Sequence, residues 1–224
     1  MNINSKTKLY CSFSKEAGDF GCKFHNAGFE KLGINAIYKS FSVENIEQCI
    51  KAMKHLPIYG AGISMPYKKQ SISLVDAVDD IANLIGNINT IYLDQKLDIF
   101  IGCNTDYYAI KWALKWCNCD SLYIIGDGCY SSTVQYVASE LSMATLIISR
   151  KRHNLHLISK IKNKTVFNCT PLDFDIDSSN IYLNCSISSK TGQELAFLQA
   201  SEQFKLYTEN EYPYSLKYFL ENIY

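Results

Sequence analysis

Ser121-Leu-Tyr-Ile-Ile-Gly126-Asp-Gly-Cys-Tyr-Ser-Ser132 passes from a short apolar run directly into a glycine-rich turn. An apolar run of this length closed by glycine is the pattern of a strand buried inside a sheet. The residues that follow, to about Leu141, read as a helix. Gly126-x-Gly128-x-x-Ser131 therefore stands between a strand and a helix, where a dinucleotide turn is expected. There the first glycine makes the bend, the second admits a pyrophosphate, and a small third residue lets the helix pack close. Two features weaken the motif taken alone. Ser131 replaces the usual Gly or Ala, and Asp127 sets a negative charge beside the expected pyrophosphate.

Outward from this segment, strands and helices alternate. Lys8 to Phe13 reads as a strand, Phe20 to Leu32 as an amphipathic helix ending at Gly33, and Asn35 to Phe41 as a strand. Val43 to Met53 reads as a helix capped by Ser42, and Tyr59 to Ser64 as a strand. A helix is predicted near Ile72 to Leu84, then strands over Ile88 to Leu93 and Leu97 to Gly102, then a helix from Asp106 to Trp116. Downstream, Thr145 to Ser149, Thr165 to Asn168 and Ile181 to Cys185 read as strands, and Leu155 to Ile161 as a helix. Gln193 to Tyr207 and Tyr214 to Ile223 close the chain as helices. This alternation predicts βαβ units and an α/β fold with a parallel sheet.

Twenty residues beyond the glycine turn, an NAD-binding chain would place Asp or Glu on the ribose. Here the sequence reads Ser149-Arg150-Lys151-Arg152, and it holds both arginines of the protein. A cationic cluster there suits a 2′-phosphate, so NADP is expected over NAD; the plainer reading is a basic loop. Elsewhere charge is balanced: Lys and Arg number 22, Asp and Glu also 22. That balance predicts neither a nucleic-acid partner nor a membrane surface, both of which select a clustered basic face. No apolar run reaches the length of a membrane span, and the polar stretch Met1 to Lys8 reads as no secretory leader. Nine cysteines without a Cys-x-x-Cys pair, and a lone His153-x-x-His156, predict reduced thiols, no metal and a cytoplasmic setting.

Two further elements could carry chemistry. Ser64-Met-Pro-Tyr-Lys68 follows a strand, and Pro66 disfavours helix before it, so a fixed turn presents Lys68 at a strand end. Asn104-Thr105-Asp106 follows another strand and opens a helix. In an open α/β sheet, residues at the carboxyl ends of strands line the ligand crevice. A lysine and a carboxylate there can handle a proton at a reacting oxygen. The plainer readings are a solvated lysine and an aspartate favoured by a helix dipole.

In order along the chain, these elements resemble the shikimate/quinate dehydrogenase family, and within it the divergent shikimate-dehydrogenase-like subgroup. The similarity rests on His25-Asn26, Lys31-Leu-Gly33, Tyr38, Ser64-Met-Pro-Tyr-Lys68, Gly86-Asn-Ile-Asn89-Thr90 and Asn104-Thr105-Asp106. Asn168-Cys-Thr170-Pro171 and Gln199 extend it. It is strong over residues 9 to 115 and patchy afterwards. The resemblance implies a substrate domain over 1–104 and 193–224 with a mixed or parallel sheet, to which the last helices return. It also implies a reduced Rossmann-like NADP domain over 105–192.

The implied reaction is reversible hydride transfer between NADP and a cyclic hydroxy acid, with Lys68 and Asp106 as the acid/base pair. Asn89 and Gln199 would bind substrate hydroxyls. Gly126, Gly128, Ser131, Ser149, Arg150, Asn168 and Thr170 would hold the cofactor. The resemblance further implies a homodimer and a place in aromatic amino acid biosynthesis or secondary metabolism. Two departures qualify it. Asp19 and Gly21 stand where the family has serines for a substrate carboxylate, which leaves Ser12 and Ser14 as substitutes. The cofactor half is shortened between Arg150 and Asn168 and between Leu172 and Gln193, so weakened NADP binding is expected. A cofactor-free acid/base enzyme and a non-catalytic ligand-binding relative remain as alternatives.

Overall fold

A computed structural model describes residues 3–224, and the chain divides into two compact units. One runs to Thr105 and includes Ala200–Tyr224; the other is Asp106–Gln199. The first begins β1 (Lys8–Ser14), α1 (Phe20–Lys31), β2 (Ala36–Ser42), α2 (Ile46–Met53) and β3 (Ile58–Ile63). It continues β4 (Ala77–Val78), α3 (Asp80–Ile85), β5 (Thr90–Asp94) and β6 (Ile99–Cys103). The strands form one sheet in the order β2-β1-β3-β5-β6-β4. β1 lies parallel to β2 and β3, but β5 runs antiparallel to both β3 and β6. The sheet is therefore mixed. Because β5 is reversed, its first residue lies at the same edge as the last residues of β1, β3 and β6. One face is sealed by Phe13, Ile46, Ile50, Met53, Ile88 and Phe100, all nearly inaccessible.

Two sequence expectations in this unit fail for identifiable reasons. Asn45, not Ser42, caps α2: its Oδ1 accepts the Gln48 N–H at 3.0 Å. Ser42 is the last residue of β2, and its hydroxyl accepts the Ala17 N–H instead. The helix predicted near Ile72 to Leu84 is broken into a 3-10 turn (Gln70–Ser73), β4 and the short α3. Pairing with β6 overrides local propensity there. The backbone N–H groups of Asp76 and Asp79 donate to the carbonyls of Phe100 and Gly102, and the Asp76 carboxylate accepts the Phe100 N–H. Asp79 then caps α3 by accepting the Ala82 N–H.

The second unit contains α4 (Asp106–Cys117), β7 (Ser121–Ile125), α5 (Cys129–Glu140), β8 (Ala144–Ile148), β9 (Thr165–Asn168) and β10 (Ile181–Asn184). Its four strands are all parallel, in the order β10-β9-β7-β8. From β7 the chain steps to β8 on one side, then returns to β9 on the other. This reversal is the topological switch point of a Rossmann-like sheet. The later crossovers are reduced. The segment predicted as a helix over Leu155 to Ile161 is 3-10 (Leu155–Lys160), and residues 169–180 carry no helix. Leu157, Ile158, Ile161, Phe174 and Ile176 pack on Ile125, Ile148 and Val166, covering a sheet face that crossover helices would otherwise cover. α6 (Lys190–Thr208) and α7 (Leu216–Asn222) complete the chain, with the boundary between units inside α6.

Candidate active site

At the carboxyl edge of the first sheet, backbone hydrogen bonds hold the motif residues in place. The Ser64 N–H donates to the Phe13 carbonyl, and the Lys15 N–H to the Met65 carbonyl, tying the turn after β3 to the end of β1. Tyr67 is buried, and its hydroxyl donates to the Val43 carbonyl at 2.5 Å. Lys68 follows, half-buried, and its carbonyl accepts the Ile88 N–H at 3.1 Å. Asn89 comes next to Ile88. Its N–H donates to the Cys103 carbonyl, and its carbonyl accepts the Ile63 N–H at 2.6 Å. The Asn89 Oδ1 accepts from the Thr105 N–H at 2.7 Å, the Thr105 hydroxyl at 3.1 Å and the Thr90 hydroxyl at 2.9 Å. The structure thus brings Lys68, Asn89 and Thr105 to one edge. Asp106, the first residue of α4, is buried.

Ser12 and Ser14 sit two apart near the end of β1, so they face the same side of the sheet. The Ser14 hydroxyl donates to the Glu16 carbonyl at 2.8 Å, closing a local turn. Asp19 and Gly21, the departures from the family pattern, open α1. A Cβ on Gly21 would lie 3.0 Å from the Tyr38 ring, a close approach that glycine eases. Tyr38 itself stacks on His25 at 4.4 Å. Burial holds the His25 imidazole far below its usual range, at about 3, against an opposing hydrogen bond with Gln203. Gln203 is the residue that sequence reasoning missed: it is buried, and it lies one helical turn beyond Gln199 on α6. Its signal was a second amide in an otherwise apolar helix face. Gln199, half-buried, donates to the Ala196 carbonyl.

In the second unit the glycine turn occupies the switch point. Gly126 has φ +114°, and a Cβ there would meet Thr170 Cγ2 at 2.9 Å; both facts require glycine. Ser131 is fully buried, and its hydroxyl donates to the Gly126 carbonyl at 3.0 Å, so it braces the turn from inside. Gly128 precedes α5, and the position of its missing Cβ faces open space. Across the switch point, Asn168 Oδ1 accepts the Thr170 N–H and hydroxyl, and its Nδ2 donates to the Leu172 carbonyl. Tyr130 packs edge-on against Phe167, and burial, then the Asp106 charge, push its phenol well above the usual range. Ser149 accepts the Arg152 N–H and shapes the turn after β8. Arg150 is exposed there, whereas Arg152 reaches the Asp127 carboxylate at 3.4 Å and offsets the negative charge in the glycine turn.

Two α/β units, one with a mixed six-stranded sheet and one with a glycine turn at the switch point of a parallel sheet, define a Rossmann-like protein. The chain belongs to the shikimate dehydrogenase family. A family model described as the shikimate dehydrogenase substrate binding domain matches residues 20–91. A shikimate dehydrogenase-like protein of Haemophilus influenzae is 40% identical over 108 residues, covering 48% of this chain and 39% of that protein. A shikimate dehydrogenase (NADP(+)) of Methanococcus maripaludis is 30% identical over 194 residues, 81% of this chain and 68% of that enzyme. The solved structure of shikimate dehydrogenase from Aquifex aeolicus shares the fold with a TM-score of 0.80 at 23% identity, over 96% of this chain and 97% of that one. The chain nevertheless spans only 39% and 56% of the first two curated relatives. Among the described residues, no helix is long and apolar enough to cross a membrane.

Proposed function

We propose that the chain is an NADP-dependent oxidoreductase acting on a shikimate-like cyclic hydroxy acid. The observation that carries this reading is the edge of the first sheet, where hydrogen bonds hold the backbone beside Lys68 to that beside Asn89, and Asn89 to Thr105. A lysine held there gives or takes the proton at the reacting oxygen. By the Asn-Thr-Asp element, Asp106 is its carboxylate partner. Asn89 and Gln199 bind substrate hydroxyls, and Ser12 and Ser14 take over the carboxylate from the family's serines.

The second unit fits a dinucleotide by its own geometry: a glycine with positive φ, open space over Gly128, and the first N–H groups of a twelve-residue helix. Gly126, Gly128 and Ser131 would seat the pyrophosphate. Ser149 and Arg150 would take the 2′-phosphate end, and Asn168 and Thr170 would flank the switch point. Held by these residues, NADP would supply the hydride acceptor for the substrate carbon bearing the reacting oxygen. Several curated relatives are named shikimate dehydrogenase (NADP(+)), which supports this choice of cofactor.

The test is a titration with NADPH, followed by turnover of shikimate with NADP. Binding in the micromolar range and turnover that Lys68→Ala abolishes without changing NADPH affinity are expected. No binding at millimolar NADPH would overturn the dehydrogenase reading and leave the cofactor-free and non-catalytic alternatives. A fully active Lys68→Ala variant would remove the lysine's role.

A further inference from the structure

Four buried side chains in the first unit form a run of hydrogen bonds whose direction can be worked out. His25 is inaccessible, and its Nδ1 has no hydrogen-bond partner. Its Nε2 lies 3.4 Å from Gln203 Oε1. A buried N–H without an acceptor is costlier and rarer than a buried lone pair without a donor. The proton of the neutral ring therefore sits on Nε2, and Gln203 Oε1 accepts it. That choice fixes the other end of the Gln203 amide: Nε2 donates to Thr90 Oγ1 at 2.8 Å and to the Asn89 carbonyl at 3.4 Å. Thr90 Oγ1, having accepted, sends its single proton to Asn89 Oδ1 at 2.9 Å. Thr105 adds two more donors to the same oxygen.

We propose that Gln203 is a positioning residue for substrate recognition: by orienting the Thr90 hydroxyl it joins Thr105 in holding the Asn89 carboxamide oxygen inward, so that a ligand meets Asn89 as a hydrogen-bond donor. The ligand group at Asn89 is then one that accepts, such as a hydroxyl oxygen or a carboxylate. This rests on the proposed role of Asn89 in binding. The ring of His25 stays neutral down to acid pH because burial opposes its charge. The groups packed on it are Phe24, Phe29, Tyr38, Phe204 and Tyr207, none of them charged near neutrality. The site has little slack. A methyl on Gly62 would fall 3.5 Å from Gln203 Nε2 and 2.9 Å from the Tyr38 hydroxyl.

The experiment has two arms. In the first, 15N spectra of the histidine rings of the whole protein report the His25 tautomer directly. A proton on Nε2 is expected, and a proton on Nδ1 overturns the run of bonds whatever the enzyme does. In the second, Gln203→Glu keeps shape and volume but loses the donor to Thr90. Roughly a tenfold rise in KM for shikimate is expected near neutral pH, with kcat little changed, the size of one lost buried hydrogen bond. The defect should shrink as pH falls and the carboxyl regains a proton to donate, which loss of packing alone would not produce. A KM equal to that of the native chain, or a defect independent of pH, overturns the positioning role. If the native chain does not bind shikimate, the proposed function fails while the Asn89 side-chain amide still decides this inference. Its 15N resonances must move in Gln203→Glu, and unmoved resonances overturn it.

Discussion

The two glycines of the turn after β7 allow folding and the proposed cofactor binding to be tested separately. At Gly126, a side chain would have to adopt φ +114° and push against Thr170 Cγ2 from 2.9 Å. The backbone strain costs about 1–3 kcal/mol and the crowding about 1 kcal/mol or more. Gly126→Ala should therefore lower stability by about 2–4 kcal/mol, which is roughly 10 °C or more in melting temperature for a domain of this size. Gly128 differs in both respects: its φ is −115°, ordinary for any residue, and a Cβ there has nothing within 4 Å. Gly128→Ala should cost under about 1 kcal/mol, the difference between glycine and alanine at a helix N-cap. Yet, on the proposed function, its methyl would fill space meant for a pyrophosphate. An affinity loss of at least about tenfold, close to 1.4 kcal/mol, is expected. Thermal melts and NADPH fluorescence titration of both variants decide the matter. A Gly128→Ala variant that binds NADPH like the native chain would refute the use of that space, and a Gly126→Ala variant of native stability would refute the strain argument.

Arg150→Ala should weaken NADPH roughly tenfold, the size of a charge-assisted hydrogen bond, and NADH much less. Equal losses in the two titrations would remove the 2′-phosphate assignment. Gly28→Ala should destabilise despite a helix-propensity gain of about 1 kcal/mol. Its methyl would lie 2.5 Å from the buried Phe204 ring and 2.8 Å from Tyr212, and overpacking costs about 1–3 kcal/mol; a raised urea midpoint would contradict this. His25 binds a proton near pH 6.5 when unfolded but only near 3 when folded. Its contribution is thus complete above pH 6.5 and falls by about 1.4 kcal/mol per pH unit as acid is added toward 3. Urea midpoints at pH 7 and 5 should converge between the native chain and His25→Leu, and a constant difference would exclude the effect.

The strands were legible because their apolar runs are short and bounded by turn residues, as at Ser121–Ile125 and Thr165–Asn168. The Lys68 turn was legible because Pro66 restricts the backbone before it. What failed depended on distant partners. The apolar spacing over Ile72 to Leu84 suits a helix, and only the edge of β6, some twenty residues on in sequence, draws Asp76 and Asp79 into pairing. The direction of the Asn89 amide was equally hidden. Thr105 and Thr90 donate to its oxygen, and Thr90 in turn accepts from Gln203, more than a hundred residues on in sequence.

On the proposed function, the shortness of the second unit falls outside the switch point. What is reduced lies in the crossovers from β8 to β9 and from β9 to β10, where a 3-10 turn and a loop replace the helices such connections usually carry. A dinucleotide is held at the switch point, by the turn after one strand, the N-terminus of the next helix and the end of the neighbouring strand. Here those parts are β7, Gly126 to Ser131, α5 and the end of β9, and each is present with its bracing hydrogen bonds. The cost of the trimming falls on the sheet. Its edge strands leave Leu146 43% and Ile181 44% exposed, and one face depends on a handful of loop side chains. Losing one of them, as in Ile158→Ala, removes apolar burial that no crossover helix backs up. It should therefore destabilise the second unit before it alters the geometry at Gly128.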